Sequence, residues 1–226
     1  MNLNSDLGEG SLHEDMILKV VDSANIACGA HAGSISISIA TALRCWKLGI
    51  EVGAHPGYED RAEFGRVERG LSAKEIEALV AFQVGGLAAV TRIAYVKPHG
   101  ALYHRCQSDP DAADAVARVC AKQGVGLMCQ PNFAMVPAAQ RAGIPVYREG
   151  FADRLLLPDG SLAPRTRSGA MLAPHEAARQ AVALAESGTV DTICVHGDTP
   201  NAGEIASAVR QALKDAGIET GPLLRR

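Results

Sequence analysis

Five glycines interrupt this chain at equivalent points. Gly49, Gly124, Gly143, Gly188 and Gly217 each follow a stretch of helical character, where the left-handed position after a helix favours glycine. After the first four, an apolar run begins again within a few residues. The repeat is helix, tight turn, strand, and such alternation builds a parallel sheet. Helix starts are marked too. Ser72-Ala73-Lys74-Glu75 is a capping box, Asp109-Pro110 and Thr199-Pro200 set a cap residue before proline, and Pro174 opens another helix. The pattern predicts strands over 2–5, 24–28, 51–54, 94–97, 126–129, 145–149 and 192–195. Helices are predicted over 14–21, 35–48, 73–91, 110–123, 133–142, 174–187 and 200–216. Seven βα units predict an α/β protein with a closed or nearly closed barrel; an open doubly wound sheet is the competing arrangement. No linker or internal repeat divides the chain, so residues 1–226 are read as a single catalytic domain. Residues 152–170 form the longest stretch without a period, as in a lid or a partner surface.

Polar residues follow directly on the apolar runs. Four of the seven histidines, His31, His55, His99 and His196, lie just past a predicted strand end. In α/β proteins that edge is where sites are built. Asp6 and Glu9 follow the first strand and suit cation binding or acid–base work; the plain alternative is a capped turn. Asn25 and His31 bracket the second strand end, with a buried amide as the alternative for Asn25. Arg66, in Phe64-Gly65-Arg66, can clamp a carboxylate or phosphate through two parallel bonds. In Lys97-Pro98-His99-Gly100 the proline ends the strand and presents Lys97 for an anion or oxyanion and His99 for proton transfer. Glu149, Asp153 and Arg154 follow the sixth strand as an ion pair or as a site for a zwitterionic substrate. His196 closes the last strand, and Asp198 either joins the site or caps the next helix. His13 and His104 are expected at the surface.

Asp6, His31 and His55 form an oxygen–nitrogen–nitrogen set suited to zinc, manganese or iron, although no short ligand motif such as H-E-x-x-H supports it. A directly bound metal is left open. No phosphate-binding G-x-x-x-x-G-K-[ST] loop, no G-x-G-x-x-G loop and no G-x-S-x-G elbow occurs.

Composition removes other classes. The net charge is −3 with no basic block, and aromatics make up 4%, which argues against nucleic acid as a partner. No run of about 18 apolar residues predicts a transmembrane helix. No signal peptide is visible at the start. The six cysteines form no C-x-x-C pair, and three fall in apolar strand-like runs. That usage fits a reducing cytoplasm.

Taken together the motifs resemble the LamB/YcsF family. The residues that carry this are Asp6-Leu7-Gly8-Glu9-Gly10, Ser23 to Gly29 with His31-Ala32-Gly33, and Gly53 to Tyr58. Phe64-Gly65-Arg66, Val96 to Tyr103, Phe151-Ala152-Asp153-Arg154 and Ile193 to Asp198 continue it in order. The resemblance implies a distorted (β/α)7-type barrel of the glycoside hydrolase/deacetylase kind. It further implies an ATP-dependent amidohydrolase that opens the cyclic amide of 5-oxoproline to L-glutamate. The implied setting is a complex with 5-oxoprolinase subunits B and C; whether the chain also forms a homo-oligomer is left open. ATP, with Mg2+, would be bound with a partner subunit's help. Asp6, His31, His55, Lys97, His99, His196 and Asp198 become the candidate catalytic residues. Glu9, Asn25, Arg66, Glu149, Asp153 and Arg154 become the candidate substrate-binding ones. Ser5, Ala30, Ser34-Ile35 and His104 depart from the family pattern, and the chain looks trimmed after Gly10 and near Ser187. The alternatives are a stand-alone metal-dependent deacetylase or amidohydrolase and a non-catalytic scaffold subunit.

Overall fold

The computed structural model describes residues 1–199 and 201–224. Seven parallel strands close on themselves in chain order, with the first paired to the last. They are β1 (Asn2–Leu7), β2 (Ser23–Ala27), β3 (Glu51–His55), β4 (Tyr95–Val96), β5 (Gly126–Cys129), β6 (Val146–Phe151) and β7 (Thr192–Val195). Between them run α1 (Glu14–Ile17), α2 (Ile35–Leu48), α3 (Ala73–Ala88), α4 (Gly100–Ser108), α5 (Pro110–Gln123), α6 (Met135–Ala142) and α7 (Pro174–Glu186); α8 (Ala202–Asp215) follows the last strand. The barrel is therefore closed, and the open sheet is set aside. Among the described residues no helix is long and apolar enough to cross a membrane.

The predicted start and stop signals do their physical work. The Ser72 hydroxyl accepts from Glu75 N–H while the Glu75 carboxylate accepts from Ser72 N–H. The Asp109 carboxylate accepts from Asp111 and Ala112 N–H at the head of α5. All five punctuating glycines have positive φ. Pro200, predicted as the first residue of the last helix, lies outside the described residues. Two differences stand out. Helix α1 is a single turn instead of eight residues, and α4 was not anticipated, because Pro98 and Gly100 read as breakers. His99 supplies extended backbone before that helix, and Gly100 begins it at φ 54°.

The strands alternate strictly. Leu3, Leu7, Ile26, Val52, Ala54, Val96 and Leu127 face outward into the apolar layer beneath the helices. Alternate positions of β1 and β2 bring polar groups into the barrel, where branched apolar side chains are usual, while Tyr95 and Met128 form a small apolar cluster. Asn25 donates to Asn4 (2.8 Å) and Asp6 (2.8 Å), and the Tyr95 hydroxyl crosses from β4 to donate to Asn25 at 2.7 Å. Asn4 donates to Thr192, whose hydroxyl donates to Asn2. Buried polar groups are tolerable only when each has a partner. This ladder provides them and carries the order of the lumen up to Asp6. The Tyr95 ring needs space on the neighbouring strand, and Gly53 provides it: a Cβ there would sit 2.1 Å from the ring. At the opposite end, the Glu51 carboxylate holds the backbone N–H groups of Leu223 and Leu224.

Gly53→Ala is expected to lower stability in urea unfolding by about 1–3 kcal/mol through overpacking against Tyr95. Gly86→Ala, at an exposed helical position with open space around it, should raise stability by about 0.5–1 kcal/mol. Equal effects at the two positions would contradict this account of the lumen.

Candidate active site at the barrel mouth

A cavity of about 540 Å³ opens where the strands end. Asp6, His55, Lys97, His99, Arg154 and His196 line it, together with Arg66 from the loop after β3. Residues separated by almost the whole chain thus converge at one mouth. Glu9, Asn25, His31, Glu149, Asp153 and Asp198 stand behind this lining. Asn25 is the satisfied buried amide described above and does not reach the cavity.

Lys97 is the centre of the site. It is 2% exposed, yet its ammonium lies 2.9 Å from Asp6 Oδ1, 2.8 Å from Glu149 Oε1 and 3.1 Å from Cys194 Sγ. An ammonium has three protons, and three acceptors surround this one. Asp6 and Cys194 accept hydrogen bonds from it, whereas Glu149 Oε1 pairs with it by charge without accepting one. Burial opposes that charge, but Asp6, Cys194 and Glu149 outweigh it and raise the lysine above its ordinary range. Burial also works against ionisation of Asp6, and Lys97, His55 and His196 reverse the effect, holding Asp6 well below the usual carboxylate range. Glu149 is raised by burial despite Lys97. It receives the Tyr103 hydroxyl at 3.2 Å. The expectation that Glu149 and Asp153 meet a zwitterionic substrate gives way here, because both carboxylates are engaged by other side chains.

On one side of Lys97, three histidines pack together. The rings of His31 and His99 stack at 3.8 Å and 3°, and His55 meets both edge-on. Close approach is possible because Gly57 and Gly65 lack side chains; a Cβ on either would lie 2.7 Å from His31. Phe64 adopts a left-handed φ of 55°, uncommon for a bulky residue, and its carbonyl accepts from His99 Nε2 at 2.8 Å. Burial lowers all three: His31, helped by His55, to about 3, and His55, against the pull of Asp6, to about 4. His99 also falls well below its normal range, through burial and its two histidine neighbours. Burial and the charge of Asp6 raise Glu9 well above the normal range, and it lies 3.2 Å from His31 Nε2. The metal-capable group is accordingly Glu9, His31, His55 and His99. Asp6 does not join His31 as the sequence suggested. A second group, Asp6, Cys194 and His196, has the Lys97 ammonium against two of its members.

On the other side, the Asp153 carboxylate takes His196 Nδ1 at 3.0 Å and the His196 backbone N–H at 3.1 Å. The expected Asp153–Arg154 pair is absent; Arg154 instead donates to the Ala163 carbonyl, and its Nε is buried without a partner. Burial and the nearby Arg165 lower Arg154 to about 10. Asp198 binds Arg66 and Arg165 rather than capping a helix. Burial opposes its ionisation, but Arg165, His196 and Arg66 lower it overall.

Arg165 and Tyr103 were not among the sequence candidates. Tyr103 sits in the quoted Val96–Tyr103 motif, and Arg165 in the unpatterned 152–170 segment, which folds back through bridges Arg154–Met171 and Leu156–Leu162. His104, expected at the surface, is exposed and also lines the cavity.

A sequence profile described as the LamB/YcsF family matches residues 1–226. The chain belongs to the LamB/YcsF family. A relative from Nocardia farcinica, named as the A subunit of 5-oxoprolinase, is 42% identical over 242 residues, covering 96% of this chain and 97% of its own. One of the same name from Neisseria meningitidis is 39% identical over 239 residues, covering 97% and 98%. The crystal structure of a lactam utilization protein from Thermus thermophilus covers 99% of both chains at 36% identity, with a TM-score of 0.91. A deacetylase, T48, superposes with a TM-score of 0.56 at 13% identity, covering 98% of this chain and 87% of its own, a likeness of fold alone.

In this LamB/YcsF chain two of the positions singled out in the sequence, Ser5 and Ser34, are hydrogen-bonded locally. Ser5 donates to the Val195 carbonyl at 2.5 Å, and Ser34 caps α2 by accepting from Ile37 N–H.

The buried histidines dictate a pH response. In an unfolded chain histidine titrates near about 6.5, whereas folded His31 and His55 stay neutral down to about 3 and about 4. Between these values the unfolded state binds more protons, so their contribution is intact above about 6.5 and is lost as pH falls. At pH 5 each should have removed about 2 kcal/mol. Urea unfolding of the metal-free chain at pH 7.5 and 5 should register this loss, and His31→Gln should reduce it. An unchanged pH slope in that variant contradicts the assignment.

Proposed function

We propose that the chain is the A subunit of a 5-oxoprolinase. It opens the lactam of 5-oxo-L-proline to L-glutamate with ATP cleavage, in a complex with subunits B and C. The names and full-length coverage of the relatives support the reading. The observation that carries it is the pairing, in one cavity, of the Asp153–His196 dyad with a cationic wall of Arg66, Arg154 and Arg165 above the Lys97 charge. 5-Oxoproline is a small ring bearing one carboxylate, and guanidinium groups suit that anion.

A lactam carbonyl is deactivated by resonance, so opening it requires activation. When bound with Mg2+, ATP supplies the phosphoryl group that makes the carbonyl carbon electrophilic. The arginines fit such a group, since Arg154 has an unpartnered buried Nε and Arg165 has one long bond, at 3.2 Å, to Asp198. The chain has no phosphate loop of its own, and that task is assigned to a partner subunit. His196 donates Nδ1–H to Asp153, which leaves Nε2 to take a proton from water as the water oxygen joins the carbonyl carbon. The carbon–nitrogen bond then breaks as His196 returns the proton to the ring nitrogen, and the acyl phosphate so formed is hydrolysed by a second water to L-glutamate and inorganic phosphate. The Lys97 charge offsets the negative charge of the phosphoryl group carried by the former carbonyl oxygen. The reading assigns the reaction to the cytoplasm.

The chain mixed with B and C partners, 5-oxoproline, ATP and Mg2+ is expected to produce glutamate. His196→Ala should lower turnover by about 10²–10⁴-fold, the usual worth of a general base. Arg165→Ala should raise KM more than it lowers kcat. An intact complex that yields no glutamate rejects the proposal, and full turnover by His196→Ala removes that residue from it.

A further inference from the structure

The geometry points to a divalent transition-metal site formed by His55 Nε2, His99 Nδ1 and the Glu9 carboxylate, with an open coordination position facing the cavity. The argument starts from two hydrogen bonds. A carbonyl oxygen only accepts, so His55 Nδ1, 2.7 Å from the Lys97 carbonyl, carries a hydrogen. His99 Nε2, 2.8 Å from the Phe64 carbonyl, carries one too. A neutral imidazole has a single N–H. The remaining nitrogens, His55 Nε2 and His99 Nδ1, therefore present lone pairs, and they face each other at 3.0 Å. Glu9 Oε1 lies 3.6 Å from the same His99 nitrogen, and Asp6 Oδ1 lies 3.5 Å from His55 Nε2. Electron pairs converge from four side chains, and a positive ion between them resolves the arrangement.

A metal ion fits this convergence better than a proton does. One proton serves the His55–His99 pair and leaves Glu9 outside it. Ligand bonds of about 2.0–2.1 Å to two nitrogens 3.0 Å apart enclose an angle of about 91–97°, as for neighbouring ligands of an open facial site. The outer contacts have the matching form. Metal-bound histidines give their other N–H to a carbonyl or carboxylate, as His55 and His99 do. His31 Nε2 lies 3.2 Å from Glu9 and steadies the carboxylate from behind. Its ring is parallel to that of His99, so it does not share the ion in the same plane. Two imidazoles and one carboxylate suit zinc, and suit iron or manganese with open positions. Because His55 and His99 both line the cavity, an open position there would meet water or substrate. The site stands independently of the reaction proposed above.

The test uses the full chain stripped with chelator, then titrated with Zn2+ by calorimetry and with Co2+ by visible absorption. One ion per chain is expected, with Co2+ ligand-field bands and a higher melting temperature. His99→Ala should weaken binding by at least 100-fold. Glu9→Gln, which keeps the side-chain shape and protects the test against misfolding, should weaken it by at least 10-fold. His104→Ala, at a cavity histidine outside the set, should leave the stoichiometry at one. Absence of stoichiometric binding overturns the proposal. So does an ion whose affinity is unchanged by both Glu9→Gln and His99→Ala.

Discussion

A lysine ammonium cannot leave water unless other charges and acceptors take the water's place. Lys97 meets that requirement with groups from three other strands: Asp6 from β1, Glu149 from β6 and Cys194 from β7. Pairing the charge and closing the barrel are therefore coupled. Loss of one partner would strand a buried charge, an effect of about 3–5 kcal/mol. The polar ladder below, running from Tyr95 through Asn25 to Asp6, fixes the carboxylate that Lys97 needs. β1 and β2 bring polar rather than branched apolar groups into the lumen because these support this charge.

Lys97 also divides the mouth. The β1 to β4 side carries Glu9, His31, His55 and His99, buried and closely packed, with lone pairs turned toward one another. The β6 to β7 side carries the Asp153–His196 dyad and, with Arg66 reaching across, the arginines that meet at Asp198. One half is built for a cation and the other for an anion. A reaction that places a negative phosphoryl group on the carbonyl oxygen of a carboxylate-bearing substrate would use both. The strained Phe64 and the close contacts at Gly57 and Gly65 place the stacked rings where a looser backbone could not.

Much of this was legible in the sequence. Strand ends were marked by an apolar run giving way to histidine, lysine or aspartate, and helix ends by glycine. Those local signals depend on backbone geometry, which the sequence expresses directly. The repeated βα units pointed to a closed or nearly closed barrel without excluding an open sheet, and the pairing of β1 with β7 decides it, bringing Asp6, His55, Lys97 and His196 to one mouth. What was not legible depended on pairing across space. Asn25 looked like a ligand-binding amide, but its partners, Asn4, Asp6 and Tyr95, lie on other strands. Asp153 looked like a partner for its neighbour Arg154, yet the chain bends just past the end of β6, and the carboxylate turns to His196. Arg165 lay in a segment without period, and only its fold-back brings it to the mouth. Helix α4 was hidden because Pro98 and Gly100, read as breakers, in fact turn the chain from β4 into it.

The protonation of Lys97 is the most direct test of the central coupling. Nuclear magnetic resonance of 15N-lysine-labelled chain can follow the Lys97 ammonium as pH rises. The account predicts a protected, slowly exchanging ammonium that persists above the ordinary lysine value of about 10.4 and disappears in Asp6→Asn. A Lys97 amine already neutral well below that value, or an ammonium indifferent to Asp6→Asn, would contradict it.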